Sequence, residues 1–302
     1  MSRRRPLLRT LVRRTIQPMM SPHVPVGLRR TWMAAMARTN PCPRGVRHSR
    51  TRIDCLPLET LAPIEAGPET ILYLHGGGYV FGSPATHRAL TGHLALATRA
   101  TVRVPDYRLA PEHPFPAARD DALAAYRWLL DRGIESARIL IAGDSAGGGL
   151  ALSTAMALRE ANLPQPAGLA LISPWADLTG SGRSMITRAT VDPMLTTGFA
   201  AYAARTYAGD RPLDDPGLSP QFGDFHGLPP MLVHLADDEI LVSEGLATVK
   251  AARAAGVPVT LTRFPGLWHV FHLHAGLLPE ADAALQEIAD FARACWQGHA
   301  IG

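Results

Sequence analysis

The sequence predicts an α/β fold: a mostly parallel central sheet with helices on both faces, plus a small helical cap. Three observations predict it. First, short apolar runs alternate with longer helical patterns from residue 70 onward. The strands are expected at Ile71–His75, Thr101–Val104, Ile139–Ala142, Gly168–Ile172, Met231–Leu235 and Val259–Phe264, and the helices near 86–98, 117–131, 146–161, 243–255 and 280–297. Second, the strand runs are continuously apolar rather than alternating, as strands buried on both faces of a parallel sheet are. Strand and helix in alternation then give right-handed crossovers. Third, 302 residues of which 47% are hydrophobic and 19% charged can bury one large core and are unlike a disordered chain. Thr51–Leu56 is expected to add an antiparallel edge strand.

One stretch breaks the rhythm. Residues 174–229 carry many Pro, Gly and Asp and a helical patch over 196–208; an insertion of that size between core strands is expected to cover the active face. The expected organisation is therefore 1–45 as the N-terminal part of a cap, 46–173 as the first part of the catalytic domain, 174–229 as the cap insertion and 230–302 as the rest of the catalytic domain. No internal repeat or low-complexity tract interrupts this.

The net charge of +4 hides a division. Residues 1–50 hold 12 Arg and no acidic residue, while the remainder holds 18 basic residues against all 26 acidic ones. Leu7, Leu8, Leu11, Val12, Ile16 and Met19 recur at near-helical spacing in this basic arm, with Arg9, Arg13 and Arg14 elsewhere on the wheel and Pro18 ending the helix. Such a helix packs on the body, lies on a membrane surface, or targets an organelle; packing is the reading favoured here. No run approaches the ~20 apolar residues that span a bilayer, and no apolar core of a secretory signal is present. The arginines are not interleaved with stacking aromatics, so nucleic acid is not an expected partner. Three widely spaced cysteines form no disulfide framework, which fits a reducing cytoplasm.

The chemistry begins at Gly143-Asp-Ser-Ala-Gly-Gly148, between an apolar run and a small-residue helix. A serine there sits on a tight strand-to-helix turn, where a Cβ at Gly143 or Gly147 would clash and the hydroxyl of Ser145 stands clear of the sheet. Upstream, His75-Gly76-Gly77-Gly78 follows a strand, and its bare backbone N–H groups can stabilise the negative oxygen of a tetrahedral intermediate. A phosphate cradle would want Gly-Lys-Ser/Thr, which is absent. A serine needs a base and the base an orienting acid, in the order Ser, acid, His, each after a late strand. Asp237-Asp238-Glu239 follows the strand ending at Leu235, and His269 follows the strand ending at Phe264. His269-x-x-His272-x-His274 has no carboxylate or cysteine in step with it, so no metal is expected.

His-Gly-Gly-Gly-Tyr at 75–79, Tyr-Arg-Leu-Ala-Pro-Glu at 107–112 and Gly-Asp-Ser-Ala-Gly-Gly at 143–148 resemble the bacterial hormone-sensitive-lipase family (family IV) of α/β-hydrolases. The likeness extends to Ser-Pro-Trp-Ala-Asp-Leu at 173–178, Asp-Pro-Met at 192–194 and Gly-Leu-Pro-Pro at 227–230. The resemblance implies an α/β-hydrolase fold, cleavage of small-molecule carboxylic esters, mostly with short acyl chains, without metal or other cofactor, and a helical cap. In the family's frame Ser145 is the nucleophile, His269 the base, and the N–H groups of Gly77, Gly78 and Ala146 form the oxyanion hole, with Gly76 shaping it. The acid is Glu239, because only Glu239-Ile-Leu241 fits the family's acid-x-Leu pattern; Asp238 stays the alternative and Asp237 a solvated turn residue. Ser243 stands where the family often has an acid. His75 is expected to hold the glycine loop, and His272 and His274 to start a helix or face the cap. Tyr79, Trp175, Met194 and Phe199 are taken as lining the acyl or alcohol pocket. The same machinery would cleave an amide, an N-acetyl group or a lactone; a ligand-binding protein on a hydrolase scaffold is a further reading. Homodimerisation is left open.

Overall fold

The computed structural model, which describes residues 4–298, gathers the apolar runs into one eight-stranded sheet in the order β1-β2-β4-β3-β5-β6-β7-β8. The strands are β1 (Val46–Ile53), β2 (Leu56–Pro63), β3 (Thr70–Leu74), β4 (Thr101–Pro105), β5 (Ile139–Asp144), β6 (Gly168–Ile172), β7 (Met231–Ala236) and β8 (Val259–Phe264). β1 and β2 pair antiparallel, as do β2 and β4; every pairing from β4 to β8 is parallel. The six predicted core strands fall where the apolar runs lie. The expected edge strand Thr51–Leu56 is corrected: those residues straddle the hairpin turn, where Ile53 pairs with Leu56 around Asp54 at φ 51°. β1 is polar throughout between Val46 and Ile53, and β2 is interrupted by Pro57, Glu59 and Thr60, so the pattern of continuous apolar runs does not register them.

Why the central strands read as unbroken apolar runs is visible in their packing. Leu72, Leu74, Ile139 and Ile141 face one layer, and Ile71, Tyr73, Leu140 and Ala142 the other. Helices α4 (Ala117–Asp131), α5 (Ala146–Glu160) and α8 (Val242–Ala254) cover the first face; α3 (Pro84–Thr98) and α9 (Pro279–Trp296) cover the second. Both faces are dry, so alternation would leave polar groups unpaired.

Two helices precede the sheet, α1 (Arg5–Thr15) and α2 (Val26–Ala37). α1 ends just before Pro18, and α2, whose apolar stripe is interrupted by arginines, was not foreseen. The segment between β6 and β7 carries α6 (Ser184–Thr187) and α7 (Thr197–Ala208). Its Trp175, Met194, Leu195, Phe199 and Ala200 line a cavity; its last part runs beside α5, where Ser153 Oγ donates to Gly217 O at 2.9 Å and Arg159 Nη1 to Asp224 O at 2.9 Å. The ends of the expected domain spans, 1–3 and 299–302, lie outside the described residues. Cys42, Cys55 and Cys295 are free thiols, and among the described residues no helix is long and apolar enough to cross a membrane.

Among the glycines, the one with least room for a Cβ lies at the β5–α5 turn. A Cβ on Gly147 would sit 1.9 Å from the Leu74 carbonyl oxygen and one on Gly143 2.3 Å from Gly147 O. Backbone cannot yield as a flexible side chain can. Gly147→Ala is therefore expected to destabilise by about 3 kcal/mol or more, lowering the thermal unfolding midpoint by roughly 5–10 °C. Gly27→Ala, in α2 with nothing within 4 Å of the new methyl, should leave it unchanged or raise it.

Candidate active site

Ser145 occupies the apex of that turn at φ 53°, ψ −122°, a conformation that non-glycine residues rarely adopt. Its backbone is held on both sides: the N–H donates to Ile172 O at 2.8 Å, and the carbonyl accepts from Trp175 N at 2.8 Å and from Gly148 and Gly149. Ala146 opens α5, so its N–H has no intrahelical carbonyl to meet and stands at the positive end of the helix.

The glycine loop docks against this turn through Asp144. The buried carboxylate accepts from the Tyr73 hydroxyl at 2.8 Å and the Gly76 N–H at 3.1 Å, and meets His87 Nε2 at 3.2 Å. Burial pushes this carboxyl up, but His87 and the Tyr73 hydroxyl outweigh it and hold it below its usual value. Gly76 has no room for a side chain, its Cβ falling 2.2 Å from Asp144 Oδ2, and Gly77 at φ +125° would meet Phe81 O at 2.2 Å. Gly78 lies at φ +61°. His75 stacks on Tyr107 with centroids 4.1 Å apart, and its Nδ1 meets Gly76 O at 2.9 Å. Burial and the neighbouring His87 push it down to about 3, so it stays neutral.

Across the cavity, His269 Nδ1 and Glu239 Oε2 lie 2.7 Å apart, both side chains buried. Glu239 Oε1 accepts from Ala236 N at 3.1 Å. The other two acids of the run turn elsewhere: Asp237 pairs with Arg263 at 2.7 Å and Asp238 with Arg9 at 2.7 Å. Of the three neighbouring carboxylates, the structure brings Glu239 to the histidine.

Ser145, His269, Gly76, Gly77 and Gly78 share the wall of one cavity of about 170 Å³, with Trp175, Met194 and Phe199 around it. Tyr79 is corrected: it is buried outside that lining and stacks on Tyr207 at 3.7 Å. Its positive φ of 61° turns the side chain into the core instead. His272 and His274 both lie in the short 3-10 turn Phe271–His274; His272 Nε2 meets His234 Nδ1 of β7 at 3.1 Å, and His274 lines the cavity. Among the described residues no three His, Cys, Asp or Glu side chains converge as a metal site.

Reading of the sequence missed Tyr73, His87 and Asp144 as a set, and Asp192. Asp192 Oδ1 accepts from Met194 N at 2.8 Å and Leu195 N at 3.0 Å, while Oδ2 accepts from Ile240 N at 3.0 Å. It thus ties the cavity-lining turn 192–195 to the residue after Glu239. Its place in Asp-Pro-Met was the available signal.

A mostly parallel sheet carrying an elbow serine, a glycine loop and a buried acid–histidine pair on loops after its late strands defines an α/β hydrolase. The profile of the α/β-hydrolase fold family matches residues 71–273. An acetyl-hydrolase of Streptomyces hygroscopicus is 43% identical over 235 residues, covering 78% of this chain and 79% of that protein. A crystal structure of an esterase from the bacterial hormone-sensitive lipase family superposes with a TM-score of 0.94 at 36% identity, covering 98% of this chain and 99% of the other. EstE5, soaked with p-nitrophenyl butyrate, gives 0.93 at 37%, covering 98% and 100%. The chain belongs to the α/β-hydrolase family, in its bacterial hormone-sensitive-lipase group, and is a carboxylic ester hydrolase.

Burial raises the Asp192 carboxyl to about 6 against the opposing pull of His269 and its N–H donors. Unfolded, it would titrate near 3.9. Between about pH 4 and 6 the unfolded chain has released a proton that the folded one still holds, so this group's contribution falls as pH rises. Wild type should therefore lose up to about 3 kcal/mol relative to Asp192→Asn across that window. Denaturant unfolding at pH 4, 5, 6 and 7 measures it; a stability difference that is flat with pH contradicts it.

Proposed function

We propose that this chain is a serine carboxylesterase that hydrolyses short-to-medium acyl esters through an acyl-enzyme intermediate. The observation that carries this reading is the buried 2.7 Å contact of His269 with Glu239, with His269 in the same cavity wall as Ser145. Ser145 Oγ attacks the ester carbonyl carbon while His269 takes its proton; the alcohol leaves with that proton. Water then attacks the acyl carbon, gives its proton to His269, and the acid leaves as Ser145 recovers its hydrogen. Glu239 holds the imidazole in the tautomer and orientation this needs. The N–H groups of Gly77, Gly78 and Ala146 receive the oxyanion, and the helix terminus at Ala146 adds a favourable field.

The cap in this reading comprises 1–45 and 174–229, resting on a catalytic domain of 46–173 and 230–302. Leu8, Val12, Met33, Met194 and Phe199 give the cavity an apolar wall suited to an acyl chain. The acetyl-hydrolase relative supports acyl groups as small as acetyl. Three free thiols support a reducing compartment.

Hydrolysis of p-nitrophenyl acetate, butyrate and decanoate beside an N-acetyl amide tests the bond and chain length: the two shorter esters should be cleaved fastest. An enzyme that cleaves the amide and none of the esters overturns the reading. Ser145→Ala should lower kcat by about 10⁶-fold and abolish labelling by a fluorophosphonate; Glu239→Gln should lower it by about 10⁴-fold, whereas Asp237→Asn should change it little.

A further inference from the structure

The arginine-rich arm is the feature of the sequence that ester hydrolysis leaves unexplained. Its side chains at positions 5, 9, 13 and 17 form one row along the arm, four residues apart, and all four reach into loops at the cavity's edge. Arg5 Nε donates to Gly266 O at 3.0 Å, and its Nη2 to Pro265 O. Arg13 Nη2 donates to Thr190 O and Val191 O, each at 3.0 Å, and Gln17 Nε2 to Asp192 O at 2.8 Å. Arg9 alone joins three segments: Nη1 to Asp238 Oδ2 at 2.7 Å and to Gly266 O at 3.4 Å, and Nη2 to Val191 O at 2.7 Å. Asp238 precedes Glu239, Gly266 lies three residues before His269, and Val191 precedes the Asp192 that accepts from Ile240 N. The adjacent face of the same helix places Leu8, Leu11 and Val12 in the cavity wall.

The two loops are also bonded directly, Asp237 N–H donating to Phe264 O at 3.1 Å and Asp238 N–H to Leu267 O at 3.0 Å. We propose that Arg9 is a positioning residue, bracing this backbone link from the outer side so that the Glu239 and His269 loops keep their mutual geometry while α1 covers the cavity. The proposal rests on the assignment of Glu239 and His269 as orienting acid and base. One helix has two adjoining faces, one apolar face closing the cavity and one cationic face holding the loops. α1 cannot swing off the cavity without withdrawing Arg9 from Asp238, Gly266 and Val191 together. A guanidinium suits this place because its planar fork of donors meets several acceptors at fixed angles, which an ammonium cannot. Asp238 and Arg9 keep side-chain exposures of 20% and 26%, so the pair is partly shielded from water.

The test uses the full chain with p-nitrophenyl butyrate. Arg9→Ala should lower kcat by roughly 10- to 100-fold, the effect of misplacing reacting groups by about an ångström, with a smaller change in KM. Arg9→Lys should fall between it and wild type. Asp238→Asn should also lower kcat, and the double variant should be no slower than Arg9→Ala alone, since both remove one interaction. Millimolar guanidinium should restore part of the activity of Arg9→Ala and leave wild type unchanged. Thermal unfolding identifies a variant that fails to fold; Arg9→Lys and Asp238→Asn then carry the test. Full kcat in Arg9→Ala, a loss confined to KM, or losses that multiply in the double variant would each overturn the proposal. If Ser145 of the wild type takes no fluorophosphonate label, the underlying mechanism fails instead; a labelled wild type beside an unimpaired Arg9→Ala removes the positioning role alone.

Discussion

Two backbones meet behind Ser145 with no space between them for a methyl group. Gly147 stands against the carbonyls of Leu74 and His75, and Gly76 against Asp144. This contact sets the distance from the elbow serine to the glycine loop, and so from Ser145 to the N–H groups of Gly77 and Gly78. The parallel pairing of β3 with β5, Leu74 opposite Gly143, delivers both loops to the same edge in register. Asp144 then ties them with its bonds to Gly76 N, the Tyr73 hydroxyl and His87. In the proposed mechanism a donor set built this way needs no rebuilding when substrate arrives, which is the condition for stabilising a charge without reorganisation.

On the far side of the cavity the constraint is of another kind. The loops after β7 and β8 are joined by backbone hydrogen bonds, Asp237 N–H to Phe264 O at 3.1 Å and Asp238 N–H to Leu267 O at 3.0 Å, and side-chain charge adds to them. Glu239 is fully buried against His269, and Asp192 reaches Ile240 from the roof. Arg5 and Arg9 hold the outer side of the same loops from α1. One wall of the site is thus set by the close approach of two backbones at the sheet's edge, and the other by two bonded loops braced by the side chains of Asp192, Arg5 and Arg9.

What was legible in the sequence follows this division. Ser145, the glycine loop and the six core strands could be read because their physics is local: a run buried on both faces, or a turn that excludes a Cβ, writes itself into consecutive residues. Glu239 could be chosen over Asp238 only through a family pattern. What separates them is the partner each meets, His269 for one and Arg9 for the other, 229 positions away from Asp238. Tyr79 was misplaced because its aromatic type fits a pocket, while its positive φ, invisible in sequence, sends it beneath the loop to Tyr207. The β1–β2 hairpin was misread because its register depends on a turn at Asp54 rather than on an apolar run.

The arrangement around Ser145 is tested most directly by the crystal structure of a fluorophosphonate adduct. The adduct's phosphoryl oxygen stands in for the oxyanion of the tetrahedral intermediate. It should lie about 2.7–3.1 Å from the backbone nitrogens of Gly77, Gly78 and Ala146, with the elbow backbone unmoved. A phosphoryl oxygen turned toward solvent, or a glycine loop that must rebuild to reach it, would contradict a donor set held ready by the fold.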